Sequence, residues 1–363
     1  MLLKDLSINN KGYYGIGASS CSFNCNFPQY LRITDIDDFG FVNNLNCSIN
    51  PNEYPDYNKY FLRKYDIVFA RTGNSTGRNY MYLGDEKKVV FAGFLIKFSI
   101  DPDKVNPLYV KYFCQSNKYW NNIQEIFTGS TRPNINEKTF SMLDIPLVSA
   151  ELQQHIVDII GSLDDKIENN NKIIEKIDKL GLSKYKKIKN DFEDFNDFTS
   201  FEKGKEASSQ NYMNEKNNDN INFIRVKDLN TLTDTYIPKK LDIPFAKPSD
   251  TLISFDGAIG RINYGLEGAY SSGIYKVTPK YSNDYGILYW SLKDDVNQQI
   301  MLEHTNGTTI LHGSKSIKYL KIKKHSQADI DYFNNIFDYS LNIKLENIKL
   351  CELKQFYLKK FFG

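Results

Sequence analysis

Apolar positions divide the chain into stretches of two kinds. In residues 1–150 and 194–326 they come as short runs, such as Asp66–Ala70, Val89–Phe98 and Gly273–Val277, bounded by Gly, Asn or Asp. Runs of that length and punctuation predict strands joined by turns. Within the same stretches, 107–127 and 284–304 read as helical, so each stretch is expected to be a mixed α/β domain. Residues 151–193 and 327–363 have a different rhythm. Leu152, Ile156, Ile159, Leu163, Ile167, Asn170, Ile174 and Ile177 recur at steps of four and three, and Ile330, Phe337, Leu341, Leu345 and Ile348 carry a similar stripe. Each stretch predicts one long helix with Glu and Lys on its other faces, about 50–60 Å from end to end. A helix of that length cannot bury its stripe on itself. Pairing of the two helices in an antiparallel coiled coil is the main expectation, through Leu163, Ile167 and Ile174 on one and Leu341, Leu345 and Ile348 on the other. Separate packing of each helix on its own domain is the alternative. Lys189–Glu202 reads as a link, and Asn214–Asn222 as a polar loop.

The two halves repeat one another. Tyr30–Ile36 aligns with Phe223–Leu229, and Asp66–Gly73, closing on Gly77-Arg78, aligns with Asp250–Gly257, closing on Gly260-Arg261. Thr128–Thr131 aligns with Asn306–Thr309 and Lys166–Asn169 with Lys344–Asn347, both displaced by 178 residues. Four matches in one order make a tandem duplication. The fold class expected is therefore α+β: two mixed α/β domains in pseudo-repeat (1–150 and 194–326) separated by two long helices (151–193 and 327–363).

Composition narrows the field. With 41% hydrophobic and 25% charged residues, the chain has globular composition and is not disordered. Its net charge of +2 announces no nucleic-acid binder, so any basic surface must come from local segregation. Five cysteines fit a reducing cytoplasm better than a disulfide framework. No stretch is long and apolar enough to span a membrane, and Met1-Leu2-Leu3-Lys4-Asp5 does not begin a signal peptide. A cytoplasmic protein without a membrane partner is expected.

Arginine is the sharpest chemical signal. Only seven of the 46 basic residues are Arg; Arg32/Arg225 and Arg78/Arg261 are repeat-matched pairs, and Arg71 and Arg132 sit in matched loops without being matched themselves. Arginine supplies a planar bidentate donor that lysine does not. The Gly-rich loops that carry it suit close approach to phosphates and base edges. The candidate binding residues are Arg71, Thr72, Asn74, Ser75 and Arg78 in one loop and Ser130, Thr131, Arg132 and Asn134 in a second. In the other half they are Arg261, Thr308, Thr309, His312 and Lys315. Hairpin turns whose arginines pair with carboxylates are the competing reading. Arg32 and Arg225, each three residues before an Asp, fit a structural ion pair as well as a DNA contact.

Catalytic signals are weak. There is no Asn-Pro-Pro-Tyr or Asp-Pro-Pro-Tyr motif of the amino-methyltransferases and no P-loop. Gly12, Gly15 and Gly17 lack a strand–helix context. Gly273-Ile274-Tyr275 followed by Tyr285-Gly286-Ile287 resembles a GIY-YIG nuclease motif, but the second element is scrambled. The first aligns with Gly93-Phe94-Leu95 and reads as a buried strand. Cys21 and Cys25 have no second pair, and the four His have no metal-ligand grouping, so no metal is expected. His155, at a helix start, reads as solvated.

Tyr14-Gly15-Ile16-Gly17-Ala18-Ser19, the Asp66–Gly77 segment and Gly129–Asn136 together resemble the specificity (S) subunits of Type I restriction–modification enzymes. So do Ile145-Pro146-Leu147, Gln153-Gln154-His155-Ile156 and Leu163–Asn170. The resemblance covers the chain, strongly over 60–175 and less so over 250–360, where Lys321-Ile322-Lys323 replaces the Pro-bearing strand. It implies two target-recognition domains, each reading half of a split site on double-stranded DNA. The paired helices would act as a ruler and hold two methyltransferase (M) subunits, with restriction (R) subunits joining them. It also implies a chain with no catalysis or cofactor of its own, S-adenosylmethionine, ATP and Mg being bound by the partners. Within DNA binding, the alternative is a specificity subunit of another restriction or phage-defence system. Outside it, the alternatives are a coiled-coil adaptor binding protein partners and a GIY-YIG-type enzyme.

Overall fold

A computed structural model describes every residue except 38, 43–44, 85–87, 128–133, 231–232, 234, 282 and 306–311. The chain forms two compact units, Met1–Asp165 with Leu350–Gly363, and Lys166–Lys349.

In the first unit, Asp66–Ala70 is buried along its whole length. It pairs antiparallel with Leu95–Ser99 and Asn79–Tyr82, and Tyr13–Tyr14 extends the sheet beyond Leu95–Ser99. A second sheet runs Cys21–Ser22, Cys47–Ser48, Gln29–Leu31, Val89–Phe91, its last pair parallel. The second unit repeats this plan. Thr199–Lys203, Ile274–Pro279, Thr251–Ser254 and Ile262–Asn263 form the antiparallel sheet in that order. Asn220–Ile224 runs parallel to Gly268–Tyr270 in the other.

One glycine per unit holds the two sheets together. A Cβ on Gly15 would lie 2.2 Å from the Ala92 carbonyl oxygen, and one on Gly204 would lie 2.2 Å from that of Ser271. No side chain fits there, because the obstacle is backbone. The glycine at the end of Tyr13–Tyr14 is therefore a framework residue, and the same holds after Thr199–Lys203.

Local breaks refine the expected elements. Val89–Phe98 is two strands, Val89–Phe91 and Leu95–Ser99, separated by a turn at Gly93-Phe94. Residues 107–127 form Pro107–Phe113, capped by the Asn106 side chain, and Asn117–Phe127. Residues 284–304 split into Tyr285–Lys293 and Asp295–Glu303 at Asp294, whose backbone is extended. Lys189–Glu202 is no bare link. Phe192–Asp194 pairs with Lys321–Lys323, and Thr199–Lys203 is a full sheet strand. Asn214–Asn222 is only in part a loop, since Asn220 opens a strand and its buried amide donates to the Glu215 carbonyl at 2.8 Å.

Both long helices form, as Ala150–Lys187 and Gln327–Phe362. In the first unit Asp164 meets Lys354 and His155 lies against Phe361. In the second Asn170 meets Asn347 and Lys184 faces Asp329. The partners descend as the first helix ascends, so the segments run antiparallel within each unit.

The buried line along the first helix differs from the apolar stripe. It passes through Gln153, Ile156, Val157, Ile160, Asp164, Ile167, Asn170, Ile177 and Tyr185, whereas Leu152 is exposed and Ile159 and Leu163 are half-buried. Three polar residues join it because each is bonded. Gln153 accepts from the Asn106 backbone N–H and donates to the Val148 carbonyl. Asp164 receives two lysines, and Asn170 donates to Glu346 and Asn347, both at 2.8 Å. A satisfied polar group can occupy a seam that an unsatisfied one could not. On the pairing positions named from sequence, Ile167 is buried. Leu163, Ile174, Leu341 and Leu345 are half-buried, and Ile348 is exposed.

Candidate nucleic-acid interface

In the first unit the buried strand Asp66–Ala70 delivers the chain into the loop Arg71–Arg78. Two glycines shape the loop. Gly73 (φ +69°) starts a tight turn closed by the Thr76 hydroxyl on the Gly73 carbonyl at 2.7 Å. Gly77 (φ +91°) sits where a Cβ would meet Ile123 at 2.8 Å and Trp120 at 3.0 Å. Both turns use left-handed backbone that glycine alone adopts without strain.

Arg71 is held on several sides. Its backbone N–H donates to the Phe94 carbonyl and its carbonyl accepts from the Ile135 N–H, while Thr72 bridges Asn134. Its guanidinium lies 5.0 Å from the Tyr14 ring centre and donates to Asn134 Oδ1 at 3.2 Å. The Tyr14 hydroxyl is itself fixed by the Glu137 N–H at 3.1 Å. Burial pushes the Glu137 carboxyl up, but hydrogen bonds from Ser141 and the Gly12 N–H, with Lys138 and Lys11 nearby, bring it below its ordinary value. The result is a preorganised planar donor on an aromatic ring, suited to an anionic or base-edge acceptor. Asn74 is exposed and Ser75 half-buried in the same loop. Arg78, also half-buried, donates to the Ile36 carbonyl at 3.2 Å, so part of its fork is used inside the unit.

In the second unit the corresponding loop is Phe255–Arg261, again with two left-handed glycines, Gly257 (φ +73°) and Gly260 (φ +76°). Its bridge joins Asp256 to His312, at the repeat positions of Thr72 and Asn134. Here the side chains are a carboxylate and an imidazole, with His312 Nδ1 2.7 Å from Asp256 Oδ1. The Phe255 N–H donates to the Gly273 carbonyl, as Arg71 does to Phe94, so the backbone aligns Gly273 with Phe94 rather than with Gly93. The Gly273-Ile274-Tyr275 segment is a buried strand beyond its first residue. Among the described residues the Arg261 guanidinium makes no hydrogen bond or ion pair, and Lys315 is exposed. Ser130, Thr131, Arg132, Thr308 and Thr309 lie outside the described residues.

Arg32 and Arg225 are engaged at home. Arg32 forms a two-pronged pair with Asp35 at 2.8 and 3.2 Å, and the Arg225 N–H donates to Asp228 at 2.9 Å. Tyr14, Glu137 and Asp256 are the contributors that reasoning from arginine and glycine did not single out for the site. Tyr14 precedes the framework glycine, and Asp256 occupies a loop position matched to a candidate residue; those were the available signals. His155 is exposed, with its ring edge toward Phe361. No helix is long and apolar enough to cross a membrane among the described residues, and no group of three or more His, Cys, Asp or Glu there could hold a metal ion.

Comparison with known proteins agrees with this architecture. Residues 3–179 match the model of the Type I restriction modification DNA specificity domain. The Type I restriction enzyme HindI specificity subunit of Haemophilus influenzae is 30% identical over 170 residues, which are 44% of this chain and 36% of that protein. The matched stretch thus spans about a third of that relative's length. The crystal structure of a Type I restriction-modification system S subunit from M. genitalium superposes with a TM-score of 0.52 at 16% identity, covering 100% of this chain and 95% of that one, a likeness of fold. Residues 3–179 thus carry a Type I restriction modification DNA specificity domain, and the chain is similar to the specificity (S) subunits of Type I restriction–modification systems.

Proposed function

We propose that this chain sets the DNA sequence recognised by a Type I modification complex, each unit reading one half of a split, asymmetric site. The observation that carries the reading is the repeated bridge. One backbone bridge carries Thr72 and Asn134 in the first unit, with the neighbouring Arg71 donating to Asn134, but Asp256 and His312 in the second. A common frame with different polar groups is what two different half-sites require, because base edges are told apart by their donors and acceptors. Arg71, Thr72, Asn74, Ser75, Arg78 and Asn134 serve the first half-site, and Arg261, His312 and Lys315 the second. The sequence assigns Ser130, Thr131, Arg132, Thr308 and Thr309 to the same surfaces.

The long helices form the antiparallel coiled coil that spaces the half-sites and holds two M subunits, with R subunits added for cleavage. The first, of 38 residues, is about 57 Å long. The chain itself is non-catalytic, and S-adenosylmethionine, ATP and Mg act on the partners. A near-neutral chain binds DNA weakly alone and gains affinity with M subunits, which supply phosphate contacts.

The test is base-resolution mapping of methylation in cells with this gene and its neighbouring methyltransferase gene, against cells lacking this gene only. A split, asymmetric motif that disappears with the gene is the expected result. An unchanged methylome with an active methyltransferase overturns the proposal.

A further inference from the structure

The imidazole of His312 is 61% exposed, yet one of its nitrogens is already committed. Nδ1 lies 2.7 Å from Asp256 Oδ1, and that carboxylate is mostly covered, with its side chain 22% exposed. A carboxylate only accepts, so Nδ1 must carry the hydrogen. In the neutral ring this leaves the lone pair on Nε2. The backbone reinforces the arrangement. Asp256 and His312 are bridged, and the next residue, Gly313, donates its N–H to the Phe255 carbonyl at 2.6 Å. Tautomer and ring position are therefore both set before any ligand arrives.

We propose that Asp256 is a positioning residue that makes His312 a hydrogen-bond acceptor, Nε2, for the exocyclic amino group of a base in the half-site of the second unit. The inference rests on the DNA-reading function proposed above. It gives the two units different chemistry at one homologous bridge: Thr72 and Asn134 in the first, where the neighbouring Arg71 donates to Asn134, and Asp256 with the acceptor His312 in the second. In the major groove two groups answer to such an acceptor, the N6 amino of adenine and the N4 amino of cytosine. Fixing the tautomer matters because a freely turning imidazole would offer a donor as readily as an acceptor and would discriminate less.

The experiment uses the full chain assembled with its methyltransferase, on duplexes carrying the methylated motif. Each adenine of the second half-site is replaced in turn by purine, and each cytosine by 2-pyrimidinone, which lack the amino group. One substitution should weaken binding by the wild-type complex about tenfold, as expected for a single good base contact. Whether it is at adenine or cytosine identifies the base. In His312→Ala the same substitution should have no further effect. Asp256→Asn should shrink it to a few-fold and leave every other position unchanged, which a merely structural role would not do. His312→Asn, with a carbonyl acceptor, should keep part of the preference and serves if His312→Ala assembles poorly. If His312→Ala shows the wild-type ratio at every analogue, or relaxes the half-site that Arg71→Ala relaxes, this inference fails while DNA reading stands. If the motif does not depend on this chain, both fail.

Discussion

The second long helix carries one lysine into each unit, Lys354 buried in the first and Lys344 half-buried in the second, and the two meet different partners. In the first unit Lys354 is 5% exposed and donates to Asp164 Oδ1 at 2.7 Å, while Lys111 reaches the other oxygen at 3.1 Å. Burial lowers the affinity of Lys354 for its proton. Burial also raises the Asp164 carboxyl, but Lys354 and Lys111 carry it below its ordinary value, so the group is held as a charged cluster. In the second unit Lys344 has no carboxylate in contact among the described residues. Its Nζ donates to Asn263 Oδ1 at 2.6 Å and the Tyr264 carbonyl at 3.1 Å and lies 3.7 Å from the Tyr264 ring centre. Burial brings its pKa down to about 7, with Asp178 opposing the drop and Lys293 adding to it. Desolvation lowers a lysine's proton affinity in both places, and only the first unit sets a carboxylate in direct contact against it. The framework is shared, but its electrostatics are local to each unit.

The harshest way to probe the shared part is Gly15→Val or Gly204→Val. Both drive a side chain into backbone, and each should cost about 4 kcal/mol or more, read as loss of the cooperative transition of that unit in chemical denaturation. Next is Asp164→Ala, which strands two lysines beside a core. About 3–5 kcal/mol is expected, most of it recovered when Lys354→Met is added. The corresponding change in the second unit, Lys344→Met, should be neutral or stabilising, because no counter-ion is orphaned.

A pH titration sharpens the contrast. The folded pKa of Lys344, about 7, lies below its ordinary 10.5, so the unfolded chain binds more protons between those values. Stability of the second unit should therefore rise as pH increases from about 7 toward 10.5, and Lys344→Met should flatten the curve. Asp164 gives a dependence of the same sign at the acid end. Its depressed carboxyl stabilises the first unit above the ordinary value of 3.8, and this contribution is lost as pH falls through the folded value. The smallest stability effects belong to the reading loops. Arg71→Ala and His312→Ala should change unfolding by about 0.5 kcal/mol or less, since both side chains are partly or largely solvated. Equal losses of several kcal/mol would make those loops part of the core instead.

What could be read from the sequence follows the same division. Strands announced themselves where burial was complete, as in Asp66–Ala70, and the long helices did so through their period. The repeat was visible because framework residues such as Gly73 and Gly257 stand on matched left-handed turns. The buried seam was misplaced by a fraction of a turn, because Gln153, Asp164 and Asn170 look like surface residues until their partners are known. The turn at Gly93-Phe94 lies inside an apolar run, and the break at Asp294 falls among charged residues that a continuous helix would also carry, so neither leaves a periodic trace. At the candidate site Arg71 was legible by its rarity. Its Tyr14 support and the Asp256–His312 pair were not, since contacts over 57 and 56 residues of sequence carry no local signature.

Lys323 extends the theme of buried cations in a mechanical direction. It is 3% exposed, and its ammonium donates to the carbonyls of Tyr185, Lys186 and Ile188, at 3.4, 3.1 and 3.1 Å. Those are two terminal carbonyls of the first long helix and that of the residue after it, which in an open helix end would be left to water. One side chain thus clamps the last turn to the strand pair Phe192–Asp194 and Lys321–Lys323. Fraying of the helix from that end must break these bonds and strand a buried ammonium, so the last turn and the strand pair are coupled mechanically.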